Sequence, residues 1–312
     1  MTMMAAATAP TRIEFVEVGP RDGLQNEKVV ISTDDKLALI GRAIGAGVRR
    51  IEVTSFVNPR RVPQMADADA VCAGLPERDD VTYVGLVMNA RGAERAIATG
   101  RIDQLGAVCV ASDRFAIANQ GQTSDESVLA ASEIIAMARA AGLSGQVTIG
   151  AAFGCPFTGR VEEDRVVELA ARLVAAEPAE IAIADTIGAG NPAQAARLVS
   201  RVRAVSGGLP VRVHFHNTRG SGLANVWAAV MAGASVVDAS IGGLGGCPFA
   251  PGAAGNVASE DVVYMLEEAG IATGIDLPEI ITASQWLSGI MGRTLPGMAA
   301  QAPLFPQAFE GV

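Results

Sequence analysis

The stretch Leu209-Pro210-Val211-Arg212-Val213-His214-Phe215-His216-Asn217 is a short run of β-branched residues that ends in two histidines. The run predicts a β-strand from Val211 to His216. The alanine-rich stretch from Gly220 to Ala232 that follows it predicts a helix. Because similar pairs of a strand and a helix recur along the chain, the sequence indicates a parallel sheet covered by helices.

Eight such apolar runs occur at fairly even spacing, with no break in composition between them. Eight strands that alternate with helices predict an α/β fold, a closed (β/α)8 TIM barrel. A doubly wound open sheet is the competing fold. It is disfavoured because no predicted turn carries the Gly-x-Gly-x-x-Gly or Walker pattern. The predicted strands are Ile13 to Val18, Arg50 to Thr54, Val81 to Val87, Gln104 to Ala111, Gln146 to Phe153, Glu180 to Asp185, Val211 to His216 and Ser235 to Ser240.

The two ends of the chain differ from the barrel units. We expect residues 1–12 to be a frayed N-terminus. We expect residues 13–312 to form a single TIM-barrel domain with a C-terminal helical extension. Ser259 is the expected N-cap of the first extra helix, and Glu279 to Met291 are expected to form the second. The other predicted helices cover residues 34–46, 90–99, 125–141, 162–175 and 192–205, with a weaker one at 63–75.

The charge balance and the cysteines limit the classes of partner. The chain has 24 Lys and Arg against 33 Asp and Glu, which gives a formal charge of −9. Such a chain repels nucleic acid and anionic lipid, and it has no apolar run long enough to span a bilayer, so we expect neither partner. The four cysteines form no Cys-x-x-Cys pair, which indicates the reduced thiols of a cytoplasmic protein.

His214 and His216 are the two histidines of the chain. They lie two residues apart on a predicted strand, so both imidazoles point to the same side. Two imidazoles at a strand end form half of a divalent-metal site, and the other ligands must come from elsewhere in the chain. Taken alone, a His-x-His pair on a strand is two ordinary polar residues at the edge of a loop as often as it is a pair of metal ligands.

Further polar side chains lie within or just after other predicted strands. In a barrel these strand ends meet at one face, where sites are built. Each residue alone could be a buried polar group that bridges strands, but their coincidence favours a site. The glycine-rich segment from Gly242 to Pro248, after the eighth strand, is expected to be a mobile lid. The polar side chains are Arg21, Asp22, Gln25, Glu52, Ser112 and Asp185.

Four motifs are those of one family: VEVGPRDGLQNE at residues 16–27, IEVTSFV at 51–57, DTIG at 185–188 and GGLGGCPFA at 242–250. With them, the chain resembles the 3-hydroxy-3-methylglutaryl-CoA lyase family. That family is a metal-dependent branch of a superfamily of barrels that also contains isopropylmalate synthases and 4-hydroxy-2-oxovalerate aldolases. The resemblance spans nearly the whole chain, and the motif that contains Cys247 is its most specific part.

The resemblance implies a retro-Claisen cleavage of 3-hydroxy-3-methylglutaryl-CoA, or of a close 3-hydroxyacyl-CoA diacid, to acetyl-CoA and a keto acid such as acetoacetate. It implies that Mg²⁺ or Mn²⁺ is bound by Asp22, His214, His216 and Asn256. Arg21 would stabilise charge on the thioester oxygen, and Cys247 would protonate the carbanion. Asp22 or a water molecule would take the hydroxyl proton, while Glu52 and Asp185 would orient their neighbours. The expected substrate contacts are Arg21, Gln25, Asn89, Ser112 and Arg219.

The resemblance also implies an acyl-CoA partner and a homodimer. Arg60, Arg61, Asn89 and Arg91 are candidates for contacts with the CoA nucleotide. Two loops depart from the family pattern: Asn217 and Arg219 follow the histidines where Asp and Tyr are usual, and residues 111–119 lack the usual lysine.

Alternatives therefore stay open. They are a lyase for a citramalyl-CoA-like or longer branched thioester, an aldolase or condensing synthase, and a catalytically silent barrel that binds acyl-CoA or metal.

Overall fold

The computed structural model describes residues 10–246 and 255–303. Within these residues, eight parallel strands close into a barrel in chain order, and the first strand pairs with the eighth. The predicted (β/α)8 TIM barrel is confirmed, with each strand found within a few residues of its predicted position. The strands are β1 Glu14–Glu17, β2 Arg50–Ser55, β3 Thr82–Leu86, β4 Gln104–Val110, β5 Ser144–Gly150, β6 Ile181–Asp185, β7 Val211–Phe215 and β8 Val236–Ala239.

The helices of the described residues include the two that follow the barrel. None of them combines the length and the apolar character needed to cross a membrane. Caps set several starts; for example, Thr123 and Glu126 form a reciprocal capping box at the start of the fifth helix. The helices are α1 Thr33–Gly45, α2 Ala68–Gly74, α3 Ala90–Ala98, α4 Asp113–Gln120, α5 Ser124–Ala140, α6 Glu163–Val174, α7 Pro192–Val205, α8 Gly222–Met231, α9 Ser259–Glu268 and α10 Leu277–Met291.

Three local features differ from the predictions. Helix α4 forms where the sequence indicated a loop, and it ends at Gly121 in the left-handed conformation. The segment expected as one helix at 63–75 is a 3₁₀ turn, Pro63–Met65, followed by α2. Ser259 is not the N-cap of α9, because the helix starts at Ser259 and its hydroxyl donates instead to Glu17 Oε2 at 2.5 Å.

Ordered backbone pairing at the N-terminus begins at residue 11, earlier in the chain than expected. Ala272 N donates to Thr11 O, and Ile13 N donates to Ala272 O, each at 2.9 Å. Residues 11 and 12 therefore pair with the segment between α9 and α10 rather than fraying. Residues 1–9 lie outside the described part of the chain.

The largest apolar cluster joins the strands to the surrounding helices, with Leu39, Leu169 and Leu198 among its fully buried members. The inside of the barrel differs, because several of its buried side chains are charged or carry amides. These are Arg50, Gln104, Gln146, Glu180, Arg212 and Asp238. The polar interior leads upward to the carboxyl ends of the strands, where the candidate site lies.

Candidate active site

A cavity of about 1290 Å³ opens at the carboxyl ends of the strands. Its inner lining brings together six of the residues singled out in the sequence, from three different strands, β1, β2 and β7. A small acid would fill only part of this volume, since drug-sized ligands occupy sites of roughly 300–1000 Å³. The six residues are Arg21, Asp22, Gln25, Glu52, His214 and His216.

Asp22 and the two histidines form the floor of this cavity. The Nε2 atoms of His214 and His216 each lie 3.8 Å from Asp22 Oδ2. Two ligands of one Mg²⁺ ion, each about 2.1 Å from it, can be up to about 4.2 Å apart, so this spacing fits a shared cation. The three side chains are a group that could hold a metal ion.

Asp22 reaches the floor because the chain after β1 makes a tight π-helical turn, Gly19–Gly23. Asp22 N and Gly23 N both donate to Val18 O, at 2.7 and 3.2 Å, and the bond from Gly23 closes the turn. A Cβ atom at Gly23 would lie 2.6 Å from Ser240 Oγ and 3.3 Å from Leu244 Cβ. The close approach of the turn to the segment after β8 therefore requires glycine at this position.

Arg21 lies between two carboxylates. Its Nη1 donates to Asp22 Oδ1 at 2.7 Å and its Nε donates to Glu52 Oε1. Burial alone would raise the pKa of Asp22, but Arg21 and the two histidines outweigh it and hold that pKa well below its usual range. Burial alone would lower the pKa of Arg21, and Glu52 and Asp22 raise it. Both groups are therefore charged at neutral pH.

The orientation of His214 suits a metal ligand. Its Nδ1 lies 3.1 Å from Asp238 Oδ2, on the neighbouring strand. A proton on Nδ1 that is donated to this carboxylate leaves the lone pair of Nε2 directed at Asp22, as is usual for metal-binding histidines. The donor set of a carboxylate and two imidazoles therefore fits a divalent cation.

Asn256, the fourth predicted ligand, reaches the site through the backbone, because it forms an antiparallel bridge with His216. Its Nδ2 donates to Asp22 Oδ2 at 2.7 Å and to Leu244 O at 2.9 Å. The amide nitrogen, rather than the oxygen, thus faces Asp22. Asn256 is a neighbour of the triad in this arrangement, and its role as a ligand stays a prediction.

Besides Asn256, three predicted site residues of the described part of the chain do not line the cavity. Ser112 is buried and its hydroxyl donates to Cys155 Sγ at 3.0 Å. Asp185 accepts hydrogen bonds of 2.8 Å from the N–H groups of Ala189 and Gly190, and so shapes the turn after β6. Arg219 is exposed, and its guanidinium donates to the carbonyl groups of residues 187 and 188. These bonds direct the three side chains away from the cavity.

Cys247 lies outside the described residues, as does the rest of segment 247–254. The part of the glycine-rich segment that precedes it is buried from Ile241 to Gly245. Gly242 N donates to Glu260 Oε2 at 3.0 Å, and Ile241 N donates to Glu17 Oε1 at 2.9 Å. Two buried glutamic acid side chains thus hold the start of the expected lid against the barrel.

The opposite side of the cavity is its mouth, between the loops after β2 and β3. Exposed Arg60, Arg61 and Arg91 lie here with Asn58 and Asn89. Asn89 also caps α3, since its Oδ1 accepts a hydrogen bond from Gly92 N at 3.0 Å. In a chain of formal charge −9, this local group of cations is the part of the cavity suited to anionic groups.

Some residues of the site were not singled out from the sequence. Asp238 and Thr148 line the cavity, and Asp238 contacts His214 directly. A lone carboxylate within the apolar run of β8 was the available signal, because a buried charge needs a partner. The identity of that partner depends on which strand lies beside β8.

Comparisons with known proteins agree with this geometry. A family model described as HMGL-like matches residues 12–287. An (R)-citramalyl-CoA lyase of Chloroflexus aurantiacus is 44% identical over 306 residues, which cover 95% of this chain and 96% of the relative. A hydroxymethylglutaryl-CoA lyase of Bacillus subtilis is 39% identical over 292 residues, which cover 94% of this chain and 97% of the relative.

Solved structures give the same result. The crystal structure of a Bacillus subtilis HMG-CoA lyase matches with a TM-score of 0.91 at 39% identity, covering 95% of this chain and 99% of that one. An HMG-CoA lyase from Acinetobacter baumannii, in complex with coenzyme A and 3-methylmalate, matches with a TM-score of 0.90 at 39% identity, covering 97% of each chain.

Proposed function

The chain belongs to the HMGL-like family of carbon–carbon lyases, and on that premise we propose that it cleaves 3-hydroxy-3-methylglutaryl-CoA to acetyl-CoA and acetoacetate. The observation that carries the proposal is the position of Asp22, which faces both imidazoles at 3.8 Å and is bonded to Arg21 at 2.7 Å. The proposed metal ligands and the proposed oxyanion partner are thereby adjacent at the floor of one large cavity.

The proposed metal site consists of Asp22, His214 and His216, with Asn256 as the fourth ligand. Oxygen and imidazole donors suit Mg²⁺ or Mn²⁺. A divalent cation bound there supplies Lewis-acid chemistry, since it lowers the pKa of a hydroxyl group and orients the substrate. Every polar group of this set is contributed by the chain itself, from the ends of β1 and β7 and from the segment before α9.

The proposed cleavage transfers one proton to a base and returns one to carbon. The base takes the proton of the C3 hydroxyl, the bond between C2 and C3 breaks, and a carbonyl forms at C3. The electron pair moves to the thioester as an enolate, and protonation at C2 then gives acetyl-CoA. Asp22 or a water molecule is the proposed base, and Cys247 is the proposed acid.

Arg21 is the proposed group that stabilises the negative charge on the enolate oxygen. Within the described residues, its Nε and Nη1 are used by Glu52 and Asp22, and Nη2 is bonded to neither carboxylate. Glu52 is 2% exposed and lines the same cavity, so it holds the guanidinium of Arg21 in a fixed position at the cavity wall. A fixed donor of this kind typically contributes about 2.7–4 kcal/mol to transition-state stabilisation.

A second candidate substrate is citramalyl-CoA, because a relative of 44% identity bears the name (R)-citramalyl-CoA lyase. Its cleavage would give acetyl-CoA and pyruvate by the same steps. The two substrates differ by one methylene between C3 and the carboxylate. Such a difference is worth roughly 1–3 kcal/mol in a fitted pocket, so a clear preference for one of them is expected.

We further propose that the CoA phosphates bind at the cavity mouth, near Arg60, Arg61 and Arg91, which are all exposed. Replacing Arg60 and Arg61 together with Ala should raise KM for the CoA thioester. The same double variant should leave turnover of a short thioester without the nucleotide unchanged. A cytoplasmic location and a homodimer remain predictions.

The test is the release of acetyl-CoA from a panel of 3-hydroxyacyl-CoA diacids in the presence of Mg²⁺ or Mn²⁺. Preferred turnover of the six-carbon branched thioester supports the first candidate, and preferred turnover of citramalyl-CoA supports the second. Prior removal of divalent ions with a chelator should abolish turnover, and adding Mn²⁺ back should restore it. Release of acetyl-CoA from none of the thioesters would overturn the proposal.

A further inference from the structure

The barrel interior beneath the site contains a chain of buried charged groups that the proposed chemistry does not use. TIM-barrel interiors are usually filled by branched apolar side chains. Here Arg50, Glu180, Arg212 and Asp238 are each at most 7% exposed. Burying charges is costly unless they are well paired, so this arrangement calls for a physical reason.

Arg212 is the centre of this chain. Its side chain is 1% exposed, and its Nη1 donates to Asp238 Oδ1 at 3.0 Å and to Oδ2 at 3.2 Å. Its Nε lies 2.9 Å from Glu180 Oε1, an ion pair without a well-directed hydrogen bond. Its Nη2 donates to Gln146 Oε1 at 2.5 Å and to Thr148 Oγ1 at 3.1 Å. These contacts fix the guanidinium on three sides.

Asp238 connects Arg212 to the floor of the cavity. Arg212 and His214 lie two residues apart on β7, so both point into the barrel. Asp238 is the register partner of His214 on β8 and accepts hydrogen bonds from both residues. One carboxylate is therefore shared between a permanent cation below and the imidazole above.

We propose that Arg212 is a positioning residue for metal binding, which acts through Asp238 to hold His214 with its Nε2 directed at Asp22. The inference rests on the proposed metal site. Arg212 contacts both oxygens of Asp238, which prevents the carboxylate from rotating away from His214 Nδ1. Without Arg212, the buried carboxylate of Asp238 would keep the imidazole of His214 as its side-chain partner among the described residues. Its orientation would then no longer be determined.

Arg50 provides a matched control within the same network. It is also a buried arginine of the barrel interior, and its Nη2 lies 2.5 Å from Glu180 Oε1. Its other partners in the described residues are Glu14 and Gln104, and it does not contact Asp238. If both arginines only filled the barrel, replacing either one would have the same effect on metal affinity. If Arg212 positions His214, replacing Arg212 weakens metal binding and replacing Arg50 does not.

The test compares Arg212→Gln and Arg50→Gln in the full-length, metal-free protein, with Mn²⁺ binding measured by calorimetry and by the electron paramagnetic resonance of free Mn²⁺. Loss of the direct partner of a metal-binding histidine typically weakens affinity by about 10–100-fold; Arg212 lies one contact further out, so we expect Arg212→Gln to weaken it by about tenfold, the lower end of that range. Both variants should lower the free energy of unfolding, but Arg50→Gln should retain the wild-type affinity. Equal affinities in all three proteins, or equal losses in both variants, would overturn the inference.

Two further measurements cover the case in which Arg212→Gln does not fold. Asp238→Asn keeps the shape of the side chain and should weaken Mn²⁺ binding to a similar extent; wild-type affinity in this variant would also overturn the inference. Nitrogen chemical shifts of the two imidazoles should show His214 protonated at Nδ1 in the metal-free wild type, and a different tautomer would contradict it. If the wild type itself binds no Mn²⁺, that result overturns the proposed metal site, and with it the positioning role that rests on it.

Discussion

Asn256 Nδ2 donates a hydrogen bond of 2.7 Å to Asp22 Oδ2, although 234 residues separate the two in the sequence. The same amide donates to Leu244 O, in the segment that leads toward Cys247. Asn256 therefore joins the turn after β1, the end of β7 and the segment after β8 at one point. A residue in this position affects both the metal site and the segment above it.

We expect Asn256→Ala to weaken Mn²⁺ binding by about 10–100-fold, because Asp22 loses its nearest amide partner and the site loses a candidate ligand. Calorimetric titration of the metal-free protein measures the change. Asn191→Ala is the control, since Asn191 caps α7 and does not line the cavity. That variant should lose about 1 kcal/mol of stability while its Mn²⁺ affinity is unchanged. Wild-type affinity in Asn256→Ala would contradict the assignment.

We expect Cys247→Ala to lower kcat by about 100-fold or more, since a positioned general acid typically contributes about 10²–10⁴. KM should change little, because protonation follows substrate binding. Cys109→Ala is the control: Cys109 is fully buried, and burial raises the pKa of its thiol to about 12. Acetyl-CoA release measures both variants. Unchanged turnover in Cys247→Ala would assign the acid to another group.

We expect Gly150→Val to change the choice between substrates. Gly150 lines the cavity, and a Cβ there would meet its nearest atom, Cys109 O, at the ordinary contact distance of 3.5 Å. The fold therefore does not require glycine, and the missing side chain leaves room in the cavity. Added bulk should lower kcat/KM for the six-carbon thioester about tenfold more than for citramalyl-CoA, as expected for one methylene.

Gly289→Val is the control for this variant, since nothing lies within 4 Å of a Cβ at Gly289 and this position on α10 is remote from the cavity lining. Its preference between the two thioesters should match the wild type. Equal losses for both substrates in Gly150→Val would show that this strand end does not contact the part of the acyl group that distinguishes them.

Glu17 should make stability depend on pH. Burial raises its pKa to about 8, although hydrogen bonds from Ser259, Ile241 and Gly19 lower it in part. Because the pKa is higher in the folded state, the stability that Glu17 contributes is full below about pH 4.5 and is lost as pH rises through about 8. The slope in this window is about 1.4 kcal/mol per pH unit for one group.

Glu17→Gln cannot ionise but keeps an oxygen for the two backbone N–H groups, so its free energy of unfolding should fall less steeply between about pH 5 and 8. Urea unfolding at several pH values in this range measures the slopes of wild type and variant. Glu133→Gln, on the exposed face of α5, should retain the wild-type slope. The same slope in Glu17→Gln would show that Glu17 is ionised throughout.

Most of the barrel could be predicted because its signals are local. The apolar run of β7 and the alanine-rich stretch of α8 have the periodicities of a strand and a helix, and both were found within two residues of their predicted ends. Helix α4 was missed because its neighbours in the fold, rather than a strong apolar stripe, determine its conformation. The Ser259 cap was missed because Glu17, remote in sequence, binds that hydroxyl.

The sequence by itself determined the alternation of strands and helices, the pairing of the two imidazoles on one face and the motifs that mark the family, because each depends on residues close together in the chain. Only the tertiary structure decided that Ser112, Asp185 and Arg219 point away from the cavity and that Asp238 and Arg212 lie beneath His214. The reason is that closure of the barrel and the register of its strands choose each side chain's neighbours.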